Sequence, residues 1–172
     1  MRKLTSNDYT EIGIDARNRR FLESSGTTAG CEGADMTSQH EHYGGCLCGA
    51  VRYVVRGPKR DVVNCHCSQC RRTHGHFGAY TSVARSQLTL TCDRGLKWYR
   101  SSSRARRGFC GECGASLFWD PAGQDYIAIA AGTLDPPTGL RTTRHIYVAD
   151  DGDYYTIDDG LEKFPGSMYD NT

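Results

Sequence analysis

Seven of the nine cysteines fall into three tight groups: Cys46-Leu47-Cys48, Cys65-His66-Cys67-Ser68-Gln69-Cys70 and Cys110-Gly111-Glu112-Cys113. Whatever the chain folds into must bring those sulfurs together or keep them apart. A domain of 172 residues buries roughly 70% of its unfolded surface and needs no cross-link merely to reach a stable size. The cysteines therefore call for a reason of their own, and the two broad reasons are disulfides and metal. The odd count rules out complete internal pairing. The first 30 residues carry no apolar run of the length a secretory leader needs, so none is expected. Clustering suits a metal, which gathers several thiolates within about 4 Å of one another.

Cys110-x-x-Cys113 followed by Gly114 reads as two thiolates across a tight turn that glycine permits. A redox dithiol would open a helix after a strand. Here the strand-like ASLFW follows, which favours metal. Cys46-x-Cys48 sits at the entry to an extended run, where residues i and i+2 share a face. If the two pairs meet, they form a closed four-thiolate site that staples the start of the domain to its middle.

Cys65-x-Cys67-x-x-Cys70 supplies only three thiolates. Three protein ligands leave one tetrahedral position open to water, a thiol or a carbonyl oxygen, which is the arrangement of a catalytic zinc. A fourth protein ligand would close it. His74 is the best placed for that, four residues beyond Cys70 on a helical face. His66 alternates away from its cysteine neighbours, and Cys92 reads more simply as a buried small hydrophobe. Arg71 and Arg72 follow the cluster directly and could offset its charge or hold a substrate carboxylate.

Residues 1–42 are polar and weakly periodic and are expected to form a poorly ordered extension, with Cys31 an uninvolved thiol. From Tyr43 the texture changes to short β-rich runs: 50–55, 61–64, 77–83, 87–92, 96–100, 105–109, 115–119, 126–131 and 144–148. Turn signals at Gly57-Pro58, Asp120-Pro121 and Asp135-Pro136-Pro137 punctuate them. This predicts a mainly antiparallel β domain over residues 43–165 and a tail over 166–172. Only residues 68–74 look helical. Net charge is +1, yet residues 94–107 hold six basic and no acidic groups, and residues 150–162 hold six acidic and no basic ones. They read as two solvated faces, the basic one a possible seat for an anion or nucleic acid. No 18-residue apolar stretch occurs, so no membrane helix is expected.

Taken together, GGCLCGAVRY, CHCSQCRRTHGHF, FCGECGASLFW, AGTLDPP and HIYV followed by DDGLEKF resemble the glutathione-dependent formaldehyde-activating enzymes, a family that also includes centromere protein V. The resemblance spans about Tyr43 to Pro165. It implies an Mss4-like arrangement of antiparallel sheets and two zinc ions per chain. One would be structural, on Cys46, Cys48, Cys110 and Cys113. The second would sit on Cys65, Cys67 and Cys70 beside the ligand cleft. The implied activity is condensation of glutathione with formaldehyde to S-(hydroxymethyl)glutathione, a carbon–sulfur lyase in the reverse sense. Two departures stand out. His74 and His76 occupy positions where many relatives carry small residues, and Tyr154-Tyr155 lies near a common tryptophan.

The expected function is thus a zinc-dependent lyase working on a small-molecule thiol or aldehyde in the cytoplasm, with Cys65, Cys67 and Cys70 catalytic and Arg71 and His74 contacting substrate. Membrane and nucleic-acid partners are not expected. The alternative is a non-catalytic zinc-stabilised binding module, using Trp98, Tyr99 and Arg100 to stack on bases or meet a protein. A third possibility is redox sensing by the three-cysteine cluster.

Overall fold

The protein was analysed as a computed structural model that describes residues 41–168. The segment 1–40 and residues 169–172 lie outside the described residues, and with them most of the expected extension, Cys31 and the end of the expected tail.

The chain is mostly strand. In order it forms β1 (Glu41–Gly45), β2 (Arg52–Arg56), β3 (Val62–Cys65), helix α1 (Ser68–His74), β4 (Gly78–Ala84), β5 (Leu88–Cys92), β6 (Leu96–Arg100), β7 (Ala105–Cys110), β8 (Ser116–Pro121), β9 (Tyr126–Ala130), β10 (Thr142–Ile146) and β11 (Glu162–Lys163). All nine runs expected from the sequence are strands to within two residues at each end. The expected helical stretch is α1. Sequence reading missed β1, whose Gly-Gly end lacks strand propensity, and the two-residue β11. The first strand therefore begins two residues ahead of the boundary drawn at Tyr43.

The strands make a three-stranded sheet, β1-β2-β5, and an eight-stranded one, β11-β10-β3-β4-β9-β8-β7-β6. Pairing is antiparallel except at one end of the larger sheet, where β10 runs parallel to both β3 and β11. The mainly antiparallel expectation holds, and β10 is the exception because it reaches β3 by a long connection from the opposite side of β4, and only such crossovers produce parallel neighbours.

Alternation along β9 shows how the larger sheet separates two interiors. Ile127 and Ile129 enter the main core with Tyr53, Val55, Val83, Leu117, Phe118 and Leu134. Ala128 and Ala130 face the other way, against Tyr80 and Trp119. Tyr53 and Phe118 meet edge to face at 5.4 Å, and the Tyr53 hydroxyl lies 2.8 Å from Thr133 Oγ1. Among the described residues no helix is long and apolar enough to cross a membrane.

Candidate metal centre and adjoining cleft

The loop after β1 and the turn between β7 and β8 bring Cys46, Cys48, Cys110 and Cys113 into one group, their sulfurs all within 4.8 Å of one another. Cys48 Sγ lies 3.6 Å from Cys46 Sγ and 3.7 Å from Cys110 Sγ. Thiolates about 2.3 Å from a tetrahedral zinc stand about 3.8 Å apart, whereas a disulfide would require about 2 Å. The donor set therefore fits a closed tetrahedral ion. Local backbone geometry explains the placement. Gly114 takes φ +76°, and its N–H donates to Cys110 O at 2.9 Å, so the chain can reverse between the two sulfurs. Cys46 and Cys110 are part of the main core.

Cys65, Cys67 and Cys70 form the second group, again within 4.8 Å. Cys65 ends β3. Cys67 precedes α1, and its sulfur accepts the Cys70 N–H at 3.4 Å. Cys70 lies in the first turn of the helix and is buried. Gly75, at φ +74°, ends the helix and returns its N–H to Arg71 O, and this turns the chain into β4. The Cys67 thiol is held low because Cys65 and Cys70 both donate to its sulfur. Cys65 is pushed up, chiefly by its bonds to Cys67 and Cys70. Three soft sulfurs gathered this closely suit a thiophilic cation such as zinc.

The other sequence candidates are placed as follows. Among the described residues, neither His74 nor Cys92 belongs to a metal-competent group. Burial holds the His74 ring below its ordinary pKa, with Arg107 adding to the effect, and its Nε2 stands 2.9 Å from the Tyr80 hydroxyl. Cys92 lies buried in β5, its sulfur near Ala50 O. Arg71 Nε donates to Asp150 O at 3.1 Å and so ties α1 to the C-terminal segment. Much of the basic run is engaged. Arg94 pairs with Glu112, while Arg106 pairs with Asp120 and stacks on Trp98 at 4.2 Å.

Two features escaped sequence reading. His66 does turn away from the cysteines, as alternation requires, and enters a fully buried position. There it joins a linear chain of hydrogen bonds. Asp159 Oδ2 is 2.8 Å from His145 Nε2, His145 Nδ1 is 2.8 Å from His66 Nε2, and His66 Nδ1 is 2.5 Å from the Tyr155 hydroxyl. An ionised carboxylate only accepts, so His145 Nε2 is the donor to Asp159, and with both imidazoles neutral the remaining directions follow. His145 donates to Asp159, His66 donates to His145, and the Tyr155 O–H donates to His66. Burial, and next the proximity of His145, lower His66 to about 4, in keeping with a neutral ring. The chain ties the segment carrying Tyr155 to the loop between Cys65 and Cys67. No local sequence signal joins residues 66, 145, 155 and 159, because only the parallel pairing of β10 with β3 makes them neighbours.

The second feature is Arg107. Alternation along β7 leaves Arg106 exposed and Arg107 buried. Its Nη2 lies 3.7 Å from Cys70 Sγ and 3.4 Å from Gln69 Oε1. The sequence places it in a basic run without distinguishing it from its neighbours. It also lines a cavity of about 320 Å³ together with Thr73, Tyr80, Tyr99, Phe109 and Phe118.

A sequence model of the family "glutathione-dependent formaldehyde-activating enzyme" matches residues 41–150. The chain is 31% identical over 101 residues to a Halomonas elongata protein provisionally named as an enzyme of that kind. This match covers 54% of this chain and 64% of the relative. It is 33% identical over 82 residues to a Schizosaccharomyces pombe protein named as an uncharacterized lyase, covering 46% of this chain and 57% of the relative. The chain thus spans less than two thirds of either relative. A crystal structure of a Rhodobacter sphaeroides protein superposes with a TM-score of 0.49 at 19% identity, covering 71% of this chain and 98% of that one.

Proposed function

The chain belongs to the family of glutathione-dependent formaldehyde-activating enzymes, and on that premise we propose that it is a zinc-dependent carbon–sulfur lyase acting on a thiol–aldehyde adduct. S-(hydroxymethyl)glutathione, formed from glutathione and formaldehyde, is the proposed substrate. The observation that carries the proposal is the three-sulfur group of Cys65, Cys67 and Cys70, which has no fourth protein donor among the described residues and adjoins a cavity through Arg107.

In this reading Cys46, Cys48, Cys110 and Cys113 hold a structural zinc, and Cys65, Cys67 and Cys70 hold the second. A zinc with an open position lowers the pKa of a bound thiol and polarises a carbonyl oxygen. The chain's own residues supply the rest. Arg107, in contact with Cys70 Sγ, offsets the net negative charge of three thiolates on one divalent ion. Cleavage of the adduct breaks the C–S bond, sends its electron pair to sulfur and removes the hydroxyl proton as the carbonyl forms. The net result moves one proton from oxygen to sulfur. Tyr80 lines the cavity, and its hydroxyl rests on His74 Nε2; in this reading the pair takes up and returns that proton. Arg71 and the chain from Tyr155 to Asp159 hold the C-terminal segment against the cluster.

The test is the rate of exchange between glutathione, formaldehyde and their adduct, followed by magnetisation-transfer NMR with zinc-loaded protein. Catalysed exchange that is lost in Cys67→Ser is the expected outcome. Exchange no faster than without protein, at full zinc content, refutes the proposal.

A further inference from the structure

Strands β6, β7 and β8 build a second cavity of about 470 Å³, and the sheet register sets its chemistry. Arg100 stands directly opposite Arg106, and Arg106 directly opposite Asp120, so these three side chains form a row on one face of the sheet. Alternation along β7 puts Arg106 on the face away from Arg107, and so away from Cys70, toward which Arg107 turns. Like charges directly opposite each other are destabilising. Yet two guanidiniums are neighbours in this row, and Arg85, just after β4, joins them in the lining.

Asp120 is buried and holds two of the three arginines. Its Oδ1 accepts from Arg85 Nη2, and its Oδ2 accepts from Arg106 Nε at 2.7 Å. Arg85 is fixed further by Gln124 O at 2.7 Å and Pro121 O at 2.9 Å. Arg106 is fixed by the Trp98 ring, which lies there because its cross-strand partner is Gly108; a Cβ on Gly108 would come 3.0 Å from Trp98 Cζ3. One edge of each guanidinium is thus engaged by the protein. Among the described residues, Arg85 Nη1 and both Nη atoms of Arg106 have no hydrogen-bond partner. The two side chains are 40% and 53% exposed, so those edges are open to solvent. Arg100 is exposed and meets only Ser103 O, at 3.3 Å, and no carboxylate among the described residues. The lining therefore carries three positive charges against the one negative charge of Asp120.

We propose that this cavity is a binding site for the phosphate monoester of a small molecule, separate from the cysteine clusters and independent of the lyase reading. A phosphate monoester carries about −2 near neutral pH and matches the excess of positive charge, whereas a carboxylate or sulfonate offsets only half of it. Planar guanidinium edges bind phosphate oxygens in pairs. Two of the three are already held in place by Asp120, so little side-chain freedom is lost on binding. Trp98, Ala105 and Pro121 in the lining give the organic part of the ligand an apolar surface to meet.

The test uses full-length, zinc-loaded protein labelled with nitrogen-15, at physiological ionic strength so that non-specific attraction is screened. The chain has two tryptophans, so Trp98→Phe or Trp119→Phe identifies the Trp98 indole N–H resonance. The probes are phenyl phosphate, the monoanion benzenesulfonate, and a single-stranded oligonucleotide without terminal phosphates. We expect phenyl phosphate to shift the Trp98 resonance saturably and benzenesulfonate to bind roughly tenfold more weakly or worse, the loss expected for one charged hydrogen bond. Arg100→Gln changes an exposed side chain and should weaken phenyl phosphate roughly 10–100-fold. The absence of a saturable shift, or equal affinity for the two small anions, overturns the proposal in the wild type without any variant having to fold. So does undiminished binding of phenyl phosphate in Arg100→Gln. A tighter response to the oligonucleotide than to phenyl phosphate overturns it as well, by assigning the surface to nucleic acid.

Discussion

Replacing Cys110 with serine should destabilise the domain more than replacing Cys67, and the structure sets a scale for the difference. Cys110 joins its cluster to Cys48 across 62 positions of chain, whereas Cys65 and Cys70 are five positions apart. Closing a loop costs entropy that grows as (3/2)RT ln n, so a tie across the longer span is worth about 2 kcal/mol more. Cys110 is also fully buried in the main core, so a polar hydroxyl there adds to the loss, while Cys67 is half-buried at the start of a seven-residue helix. A gap of about 2 kcal/mol in a domain of this size corresponds to roughly 5–10 °C in Tm. Thermal melts followed by circular dichroism, with zinc content measured for each variant, give the comparison. Cys67→Ser should remain folded but lose catalysed exchange. Equal losses of Tm would refute the division between a cluster that holds the fold and one that serves the cleft.

Graded chelation of freshly prepared protein should release close to two zinc ions in two phases, because four thiolates in a closed shell bind more tightly than three with an open position; release in a single phase contradicts two distinct sites. Asp120 is buried and carries both Arg85 and Arg106; burial pulls its pKa upward, but the two arginine hydrogen bonds prevail and hold it below the usual carboxylate value. A carboxyl depressed in the folded state contributes stability that is present above its unfolded pKa, near 3.9, and is lost as pH falls through the lower folded value. Asp120→Asn should therefore reduce unfolding free energy by about 1–3 kcal/mol at neutral pH, by a constant amount from pH 8 to 5 in urea titrations. A gap that already narrows within that range would show that another group is responsible.

Much of this protein could be read from its residues in order. Alternation and turn signals located nine of the described strands and helix α1 because both are local properties, set by side-chain period and by Gly and Pro within a few residues. The cysteine spacing identified both groups of sulfur donors, since two of the three motifs place their sulfurs on one face or across one turn by backbone geometry alone. That Cys46 and Cys48 meet Cys110 and Cys113 was a condition in the sequence and became a distance only in the fold. The parallel pairing of β10 was equally out of reach, because a register between residues 142–146 and 62–65 is a property of a sheet rather than of a segment.

Tertiary structure alone decided which charged and titratable groups face the cleft. Arg71 and His74 stood out in the sequence because they follow the cysteines directly, and the fold supplies their distant partners, Asp150 O for Arg71 and the Tyr80 hydroxyl for His74. Arg107, one of six basic residues in an unremarkable run, is the one buried against Cys70. His66, His145, Tyr155 and Asp159 are spread over more than 90 positions of the sequence and form one continuous hydrogen-bonded chain. The physical reason is the same in each case. Donor type and local spacing are written residue by residue, whereas burial and the pairing of distant polar groups depend on which strands become neighbours.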